Sequence, residues 1–299
     1  MTKNLNIGVI GIRGAWSTES LSERLKEKGA GGTVIELSEI GYDLDRTEFY
    51  HLDHNLEEFD GFILKKMGPV YSPYLLDELE LLELLERRGF SFFSRPSRIR
   101  AMISRLSCTI HLRENGIPMP PTFVTESVTD AIAWAERRLP VVLKPLYSTK
   151  ASGMQLLTDP MTLRSSFEAF LATGEKIFYL QQKFDLQGED YGLVFLAGEY
   201  IGAYARVSDG SVWHTTTSEG GKYGAFEPTP ELIELADRAQ KPFGLDFTCV
   251  DIAISREAGP IVFEVSAFGG YKGLFQSAGI DASDRLTDYA IARLTDCNR

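Results

Sequence analysis

Phe247 to Gly273 reads FTCVDIAISREAGPIVFEVSAFGGYKG, and the fold turns on this stretch. Two apolar runs, Thr248 to Ile254 and Pro260 to Val265, flank a polar turn that carries Gly259. Alternation and β-branched content predict two strands joined as a hairpin. Each strand carries one carboxylate among apolar neighbours, Asp251 in the first and Glu264 in the second. A buried carboxylate is costly unless something pairs with it. Two on facing strands suit a shared hard cation with oxygen ligands. Acids alternating on a solvent-facing side would give the same pattern.

The rest of the composition sets bounds. A chain of 299 residues with 43% apolar and 24% charged residues reads as an ordinary globular protein, long enough for two or three domains. Its formal charge of −11 opposes partnership with nucleic acid or an anionic membrane, yet leaves room for a local basic pocket. Cys108, Cys249 and Cys297 are scattered and form no C-x-x-C pair. Neither a zinc site nor a disulfide framework is indicated, and a reducing, cytoplasmic setting fits best. The apolar run near the start is too short for a signal peptide, and no stretch is long enough to span a membrane.

Upstream of the hairpin the chain alternates strand and helix. Asn6 to Ile12, Thr33 to Leu37, Gly61 to Leu64 and Phe90 to Phe93 read as strands. A helix capped by Ser17 or Thr18 runs to about Lys28, and a leucine-rich one spans Ser72 to Arg88. This order predicts a parallel, helix-covered sheet. Gly8, Gly11 and Gly14 are spaced G-x-x-G-x-x-G, which is not the dinucleotide fingerprint. They predict a tight turn at the rim of a substrate cleft. His51 and His54 are expected in a surface loop. Lys65 and Lys66 end the third strand, where such sheets hold ligands, and Lys66 is a candidate substrate contact.

In the middle, Ser97 to Asn115 is expected to be one helix, followed by a proline-rich connection and a second helix over Thr129 to Arg138. Lys144 emerges from the strand beginning at Val141, below the small-residue loop Tyr147 to Gly153. A lysine under a flexible Ser/Thr/Gly loop suits phosphate binding. Met154 to Leu157 resumes a strand, and Pro160 to Ala172 is a helix. Ile177 to Phe184 is a strand along which an adenine can lie, and Asp190 could accept from a ribose hydroxyl. Gly192 to Val207 is a hairpin with Arg206 near its end. The segment WHTTTSEGGKYG, Trp213 to Gly224, is a loop that can approach a ligand or simply move. A helix capped by Thr229 spans to Phe243, and another closes the chain over Ala282 to Leu294.

Together these features resemble the ATP-grasp superfamily, especially its RimK-like carboxylate–amine ligases, over nearly the whole chain. The resemblance rests on RLSCTIHLRENGIPMPPTFV, PVVLKP, YSTKASGM, LQQKF, GEDYG, SEGGKYG, FTCVDIAI and IVFEVSAFGG. It implies an α/β ATP-grasp fold with a Rossmann-like preceding domain (1–96) and two α+β subdomains (97–185 and 186–299) clasping ATP. It implies that Arg105, Lys144, Ser148, Gln181, Gln182, Lys183, Phe184 and Asp190 contact the nucleotide. Lys144 and Arg206 would act on the transferring phosphate. Asp251, Glu264 and Ser266 would hold Mg²⁺, with Mn²⁺ an alternative, although the family usually has asparagine where Ser266 stands. Glu219 replaces a basic residue, which points away from an acidic co-substrate and toward an amine or cationic one. Lys66, Lys222 and Lys272, with Trp16, are expected substrate contacts.

The implied reaction is ATP-dependent ligation of a small-molecule or peptide carboxylate to an amine through an acylphosphate. The partners are these substrates, with no nucleic acid and no membrane, and with a homo-oligomer as an open option. Two other readings share the fold. One is a degenerate nucleotide-binding regulatory or scaffold protein, prompted by Ser266, Gln182 and a loop with one glycine. The other is a small-molecule kinase.

Overall fold

The computed structural model describes residues 4–52, 54–217 and 220–297. The first block forms β1 (Ile7–Ile10), α1 (Trp16–Glu27), β2 (Gly31–Ile35), β3 (Ile40–Asp43), β4 (Glu48–His51), β5 (His54–Asn55), β6 (Gly61–Leu64), α2 (Leu75–Arg87) and β7 (Ser91–Phe93). Strands β2-β1-β6-β7 make a parallel sheet, since each helix returns the chain to start the next strand in the same direction. Ile7, Val9, Ile63 and Phe93 pack with Leu21 and Leu25 of α1, while Ile10, Phe62, Leu64 and Phe92 pack with Leu79, Leu82 and Leu85 of α2. Both faces are covered, so the strands read as continuous apolar runs.

Two local expectations fail here for identifiable reasons. His51 and His54 lie in strands, not a surface loop: β3, β4 and β5 form a small antiparallel sheet. Phe49 and His51 alternate inward along β4, and the His51 Nε2 sits 2.7 Å from Glu39 Oε2. Helix α1 starts at Trp16 with Ala15 as an N-cap that makes no side-chain bond. The Thr18 hydroxyl instead accepts from the Ile12 N–H at 3.3 Å, inside the turn that Gly11 opens. A Cβ at Gly11 would run into Thr18, so glycine is what allows this turn to sit against the helix.

The expected single helix over 97–115 is two, α3 (Pro96–Ile103) and α4 (Arg105–Glu114), broken at Ser104 with φ −89° and ψ 131°. The break frees the Arg105 N–H to donate to the Leu146 carbonyl at 2.9 Å. Next come β8 (Thr122–Thr125), α5 (Val128–Glu136), β9 (Val141–Lys144), β10 (Gln155–Leu157), α6 (Leu163–Ala172) and β11 (Phe178–Gln182). Their antiparallel sheet runs β10-β9-β11-β8. It shares a separate apolar core with α5 and α6, built on Trp134, Leu143, Phe167, Phe170 and Phe178.

The last block holds β12 (Glu189–Leu196), β13 (Glu199–Val207), β14 (Lys222–Gly224), α7 (Pro230–Gln240), β15 (Phe247–Ser255), β16 (Gly259–Ser266), α8 (Tyr271–Ala278) and α9 (Ala282–Cys297). Its antiparallel sheet runs β14-β13-β12-β15-β16. The opening hairpin is therefore β15–β16, at one edge. Thr229 precedes α7 but makes no side-chain cap bond. Helix α8 is not foreseen from the sequence, because Gly269, Gly270 and Gly273 surround its start. Gly273 is required by packing: a Cβ there would lie 2.6 Å from the Tyr204 ring. Helices α3 and α4 share a core with the last sheet, with Ile99, Ile103, Cys108 and Leu112 packed in one cluster with Val250, Val262 and Val265. Helix α9 closes back on α1, where Arg24 pairs with Asp281 at 3.0 Å. Among the described residues no helix is long and apolar enough to cross a membrane.

The separate core of the middle sheet makes Phe167 a test of that lobe, since it is fully buried there. Phe167→Ala should cost about 3–5 kcal/mol, read as the loss of unfolding free energy in urea titrations.

Candidate active site

Register sets the site. In the β15–β16 ladder Asp251 lies directly opposite Glu264, and the next pair is Ile252 with Val262, so Phe263 forms a bulge. Residues directly opposite share a face, which puts both carboxylates on the same side. A bulge beside them re-aims the strand. On the neighbouring strands Asp190 lies opposite Arg206 and Gly192 opposite Asp251. Arg206 donates from Nε to Asp190 Oδ1 at 2.8 Å and from Nη2 to Asp190 Oδ2 at 2.9 Å, and the same Nη2 is 3.0 Å from Asp251 Oδ2. Burial pulls the Arg206 pKa down, but Asp251 and Asp190 outweigh it and hold the guanidinium charged. Burial pushes the Asp251 carboxyl above its usual range; Arg206 opposes this and Glu264 adds to it.

Glu264 faces a second arginine. Arg105, the first residue of α4, places Nη1 3.5 Å from Glu264 Oε2. Its Nε donates to the Pro145 carbonyl at 3.1 Å and its Nη2 to Ser148 Oγ at 3.0 Å. One side chain thus ties the metal-candidate strand to the loop after β9. Lys144 ends β9 and donates to Gln181 Oε1 at 2.6 Å, with its Nζ 5.3 Å from the Phe263 ring centroid. Burial lowers the Lys144 pKa to about 7; Arg105 adds to this and Glu264 opposes it. Gln181 in turn donates to Thr122 Oγ1 at 3.1 Å. The Gln182 and Lys183 N–H groups are committed to the Pro121 and Pro140 carbonyls, each at 2.9 Å. A base lying along this edge would therefore meet Phe184 and its C-terminal neighbours.

Arg105, Lys144, Ser148, Gln181, Asp251 and Glu264 thus come together. Asp190 does not stand free for a ribose hydroxyl: its two oxygens are taken by Arg206, because the β12–β13 register sets them opposite. Ser266 lies beside the acids with its hydroxyl accepting from the Phe268 N–H at 3.1 Å, so it holds a turn. Lys222 is exposed on the edge strand β14 and does not line the cavity, whereas its neighbour Tyr223 does. Glu219 lies outside the described residues.

The cavity has a volume of about 560 Å³ and opens beside Glu264 and Ser266. Lys66 and Lys272 line it, and Trp16 stands at its wall, 5.6 Å from the Phe275 ring. Sequence reasoning missed Lys65, which is 2% exposed. Its Nζ donates to the Phe268 carbonyl at 2.6 Å and lies 4.3 Å over the Tyr271 ring. Burial, with Lys66 adding, lowers its pKa to about 7. The strand-end position points to Lys65 and Lys66 alike, and only packing after β6 shows that Lys65 is the buried one.

Among the described residues no group of three His, Cys, Asp or Glu side chains could hold a metal unaided. Asp251 and Glu264 nevertheless offer hard oxygens on one face, each already matched by a guanidinium. That donor set suits Mg²⁺, which takes one or two carboxylates and completes its shell with water and phosphate oxygens.

Residues 104–290 match the family model of the RimK-like ATP-grasp domain. The chain is 25% identical to the tetrahydromethanopterin:alpha-L-glutamate ligase of Methanocaldococcus jannaschii, over 96% of this chain and 98% of that protein. Among solved structures, the ATP-grasp ligase PsnB with a phosphomimetic precursor variant, Mg and ADP superposes with a TM-score of 0.74. Identity there is 18%, covering 97% of this chain and 99% of that one. D-alanyl-alanine synthetase A from Vibrio cholerae O1 biovar eltor gives a TM-score of 0.76 at 13% identity, covering 99% and 100%.

Two measurements probe the charge network. Arg206→Met leaves two largely buried carboxylates facing each other, so unfolding free energy should fall by about 3–5 kcal/mol in urea titrations. Lys144 carries a proton in the unfolded chain up to about pH 10.4 but loses it near pH 7 when folded. Between those values the unfolded state binds the extra proton, so its contribution to stability rises with pH. Relative to Lys144→Met, the nucleotide-free protein should gain up to ~1.4 kcal/mol per pH unit in urea titrations at pH 7, 8 and 9.

Proposed function

We propose, for a chain that belongs to the RimK-like ATP-grasp family of ATP-dependent carboxylate–amine ligases, that ligation runs through an acylphosphate at the β15–β16 hairpin. The observation that carries this reading is the register pair Asp251–Glu264, of which Glu264 lines a cavity shared with Arg105 and acts by its charge on the buried Lys144. An oxygen of the substrate carboxylate attacks the γ-phosphorus of ATP, and the bond to the departing ADP breaks. The amine then attacks the acyl carbon, gives up a proton and expels orthophosphate. ATP supplies the leaving group, so the protein needs to position reactants and neutralise charge. This is why no side chain has to act as a covalent nucleophile.

Lys144 and Arg105 bind phosphate oxygens in this scheme, and a phosphate beside Lys144 would favour its charged form. Arg206 stabilises the terminal phosphate while Asp190 orients its guanidinium. The loop over 147–153, carrying Ser148, closes over the reacting atoms and keeps water from the acylphosphate. Phe184 and its C-terminal neighbours form the adenine edge, with Gln181, Gln182 and Lys183 leading into it. Asp251 and Glu264, with Ser266 beside them, would hold Mg²⁺ or Mn²⁺, which when bound neutralises the phosphate charge. The lobes over 1–96, 97–185 and 186–299 are proposed as the pre-grasp domain and the two grasp subdomains, acting in the cytoplasm.

Purified protein with Mg·ATP, L-glutamate and a panel of carboxylic acids should release ADP and orthophosphate in equal amounts. Asp251→Asn and Glu264→Gln should each lower that rate roughly 100-fold or more. Unchanged turnover in both variants would remove the hairpin from the mechanism. ADP released without orthophosphate would identify a kinase instead.

A further inference from the structure

The wall of the cavity reverses the charge of the chain. The net charge is −11, yet Lys65, Lys66, Lys150 and Lys272 line the cavity, and among the described residues that line it Glu264 is the one carboxylate. Arg105 answers Glu264. None of the four lysines forms an ion pair with a described residue. Lys65 is buried with one acceptor, the Phe268 carbonyl, for an ammonium that can donate three times. Lys66 is half-buried, and burial together with Lys150 works against its charge. A buried ammonium without a counter-anion is costly, and a bound anion removes that cost.

Two helices begin at this same wall. Ala15, Trp16 and Ser17 open α1 there, and Gly269, Gly270 and Tyr271 open α8. Neither helix has a side-chain cap, so first-turn N–H groups are left for a ligand. Lys65 and Lys66 follow the first sheet, whereas Lys144 and Gln181, the proposed phosphate and adenine contacts, belong to the middle sheet. Lys65, Lys66 and the start of α1 are therefore supplied by a different lobe from Lys144 and Gln181, and Lys272 with the start of α8 comes from the last block.

Resting on the ligase reading, we propose that the wall formed by Lys65, Lys66, Lys272 and the starts of α1 and α8 is a subsite for a carboxylate that one substrate carries in addition to its reacting group. The substrate held there is an anion. This is the opposite of the cationic co-substrate that Glu219 suggested from sequence. The carboxylate belongs either to a dicarboxylic acid activated at its other end or to an amino acid that donates its amine. In both cases the unreactive oxyanion is fixed by lysine ammonium groups and helix amides, which leaves the reacting end toward Glu264.

Titration calorimetry on the full chain loaded with Mg and a nonhydrolysable ATP analogue separates the two sources. Succinate, glutarate and adipate would each be compared with their monoamides, and L-glutamate with its α-amide. In one of the two sets the acid should bind roughly tenfold or more tightly than its amide, as expected for a charge-assisted contact. That preference should vanish in Lys65→Met and in Lys66→Met, while affinity for the ATP analogue stays within about twofold. Should Lys65→Met fail to fold, Lys66→Met decides alone. Acid and amide binding equally in both sets, or a preference surviving both variants, would overturn the subsite. So would a tenfold loss of analogue binding in Lys66→Met, which would assign the lysines to the nucleotide. Failure of the ligase reading has a separate signature: no ADP formation with the acid preference intact.

Discussion

Two carboxylates at one register position of neighbouring strands demand positive charge, and much of the site is arranged to supply it. Asp251 takes Arg206 from β13, two strands away, with Asp190 gripping the other side of the guanidinium. Glu264 takes Arg105 from α4, more than a hundred residues earlier. That second demand explains the break at Ser104: a continuous helix would leave the Arg105 N–H bonded within its own turn and unable to reach Leu146. The anions thus help to decide where a helix stops. Each acid has a cation in the nucleotide-free chain, and each arginine has a second acceptor to turn to, so phosphate and metal can enter by exchange of partners.

The lysines follow a different rule. Lys144 and Lys65 are buried without a carboxylate of a described residue within ion-pairing distance, and both have their pKa lowered to about 7 by burial. Such groups weaken the folded state near neutrality and are stabilised by ligands that bring negative charge. Stability set aside at a site of this kind is where local physical rules and function part company. The two lysines stand on separate sheets, so separate anions can answer them.

Much of the fold was legible in the residues. Period-two runs bounded by glycine and proline marked the β15–β16 and β12–β13 hairpins, and the strand–helix order marked the parallel sheet. Lys144 was legible because it ends an apolar run directly before Pro145. What escaped depended on packing between distant segments. Nothing near Ser104 signals a break, since neither glycine nor proline stands there. The strand holding His51 is short and polar, and its inward alternation shows only once Phe49 has a core to enter. The fate of Asp190 depended on which residue faces it across β12–β13, a matter of register set by the hairpin turn. Lys65 and Lys66 stood together at a strand end, and which of the two is buried depends on Phe268 and Tyr271, some two hundred residues on.

The hydrogen-bond pattern at the edge of the middle sheet has an architectural consequence. The Gln182 N–H meets the Pro121 carbonyl, and nearby the Val262 N–H meets the Pro118 carbonyl while the Arg256 N–H meets that of Asp185. The chain therefore enters and leaves the middle lobe at one spot, with both passages stapled to the same hairpin. In topological terms that lobe is an insertion: a self-cored cassette set between segments whose remaining parts, joined by α3, α4 and α9, close upon one another. A cassette with adjoining ends can be lengthened, exchanged or re-tuned without re-threading its host.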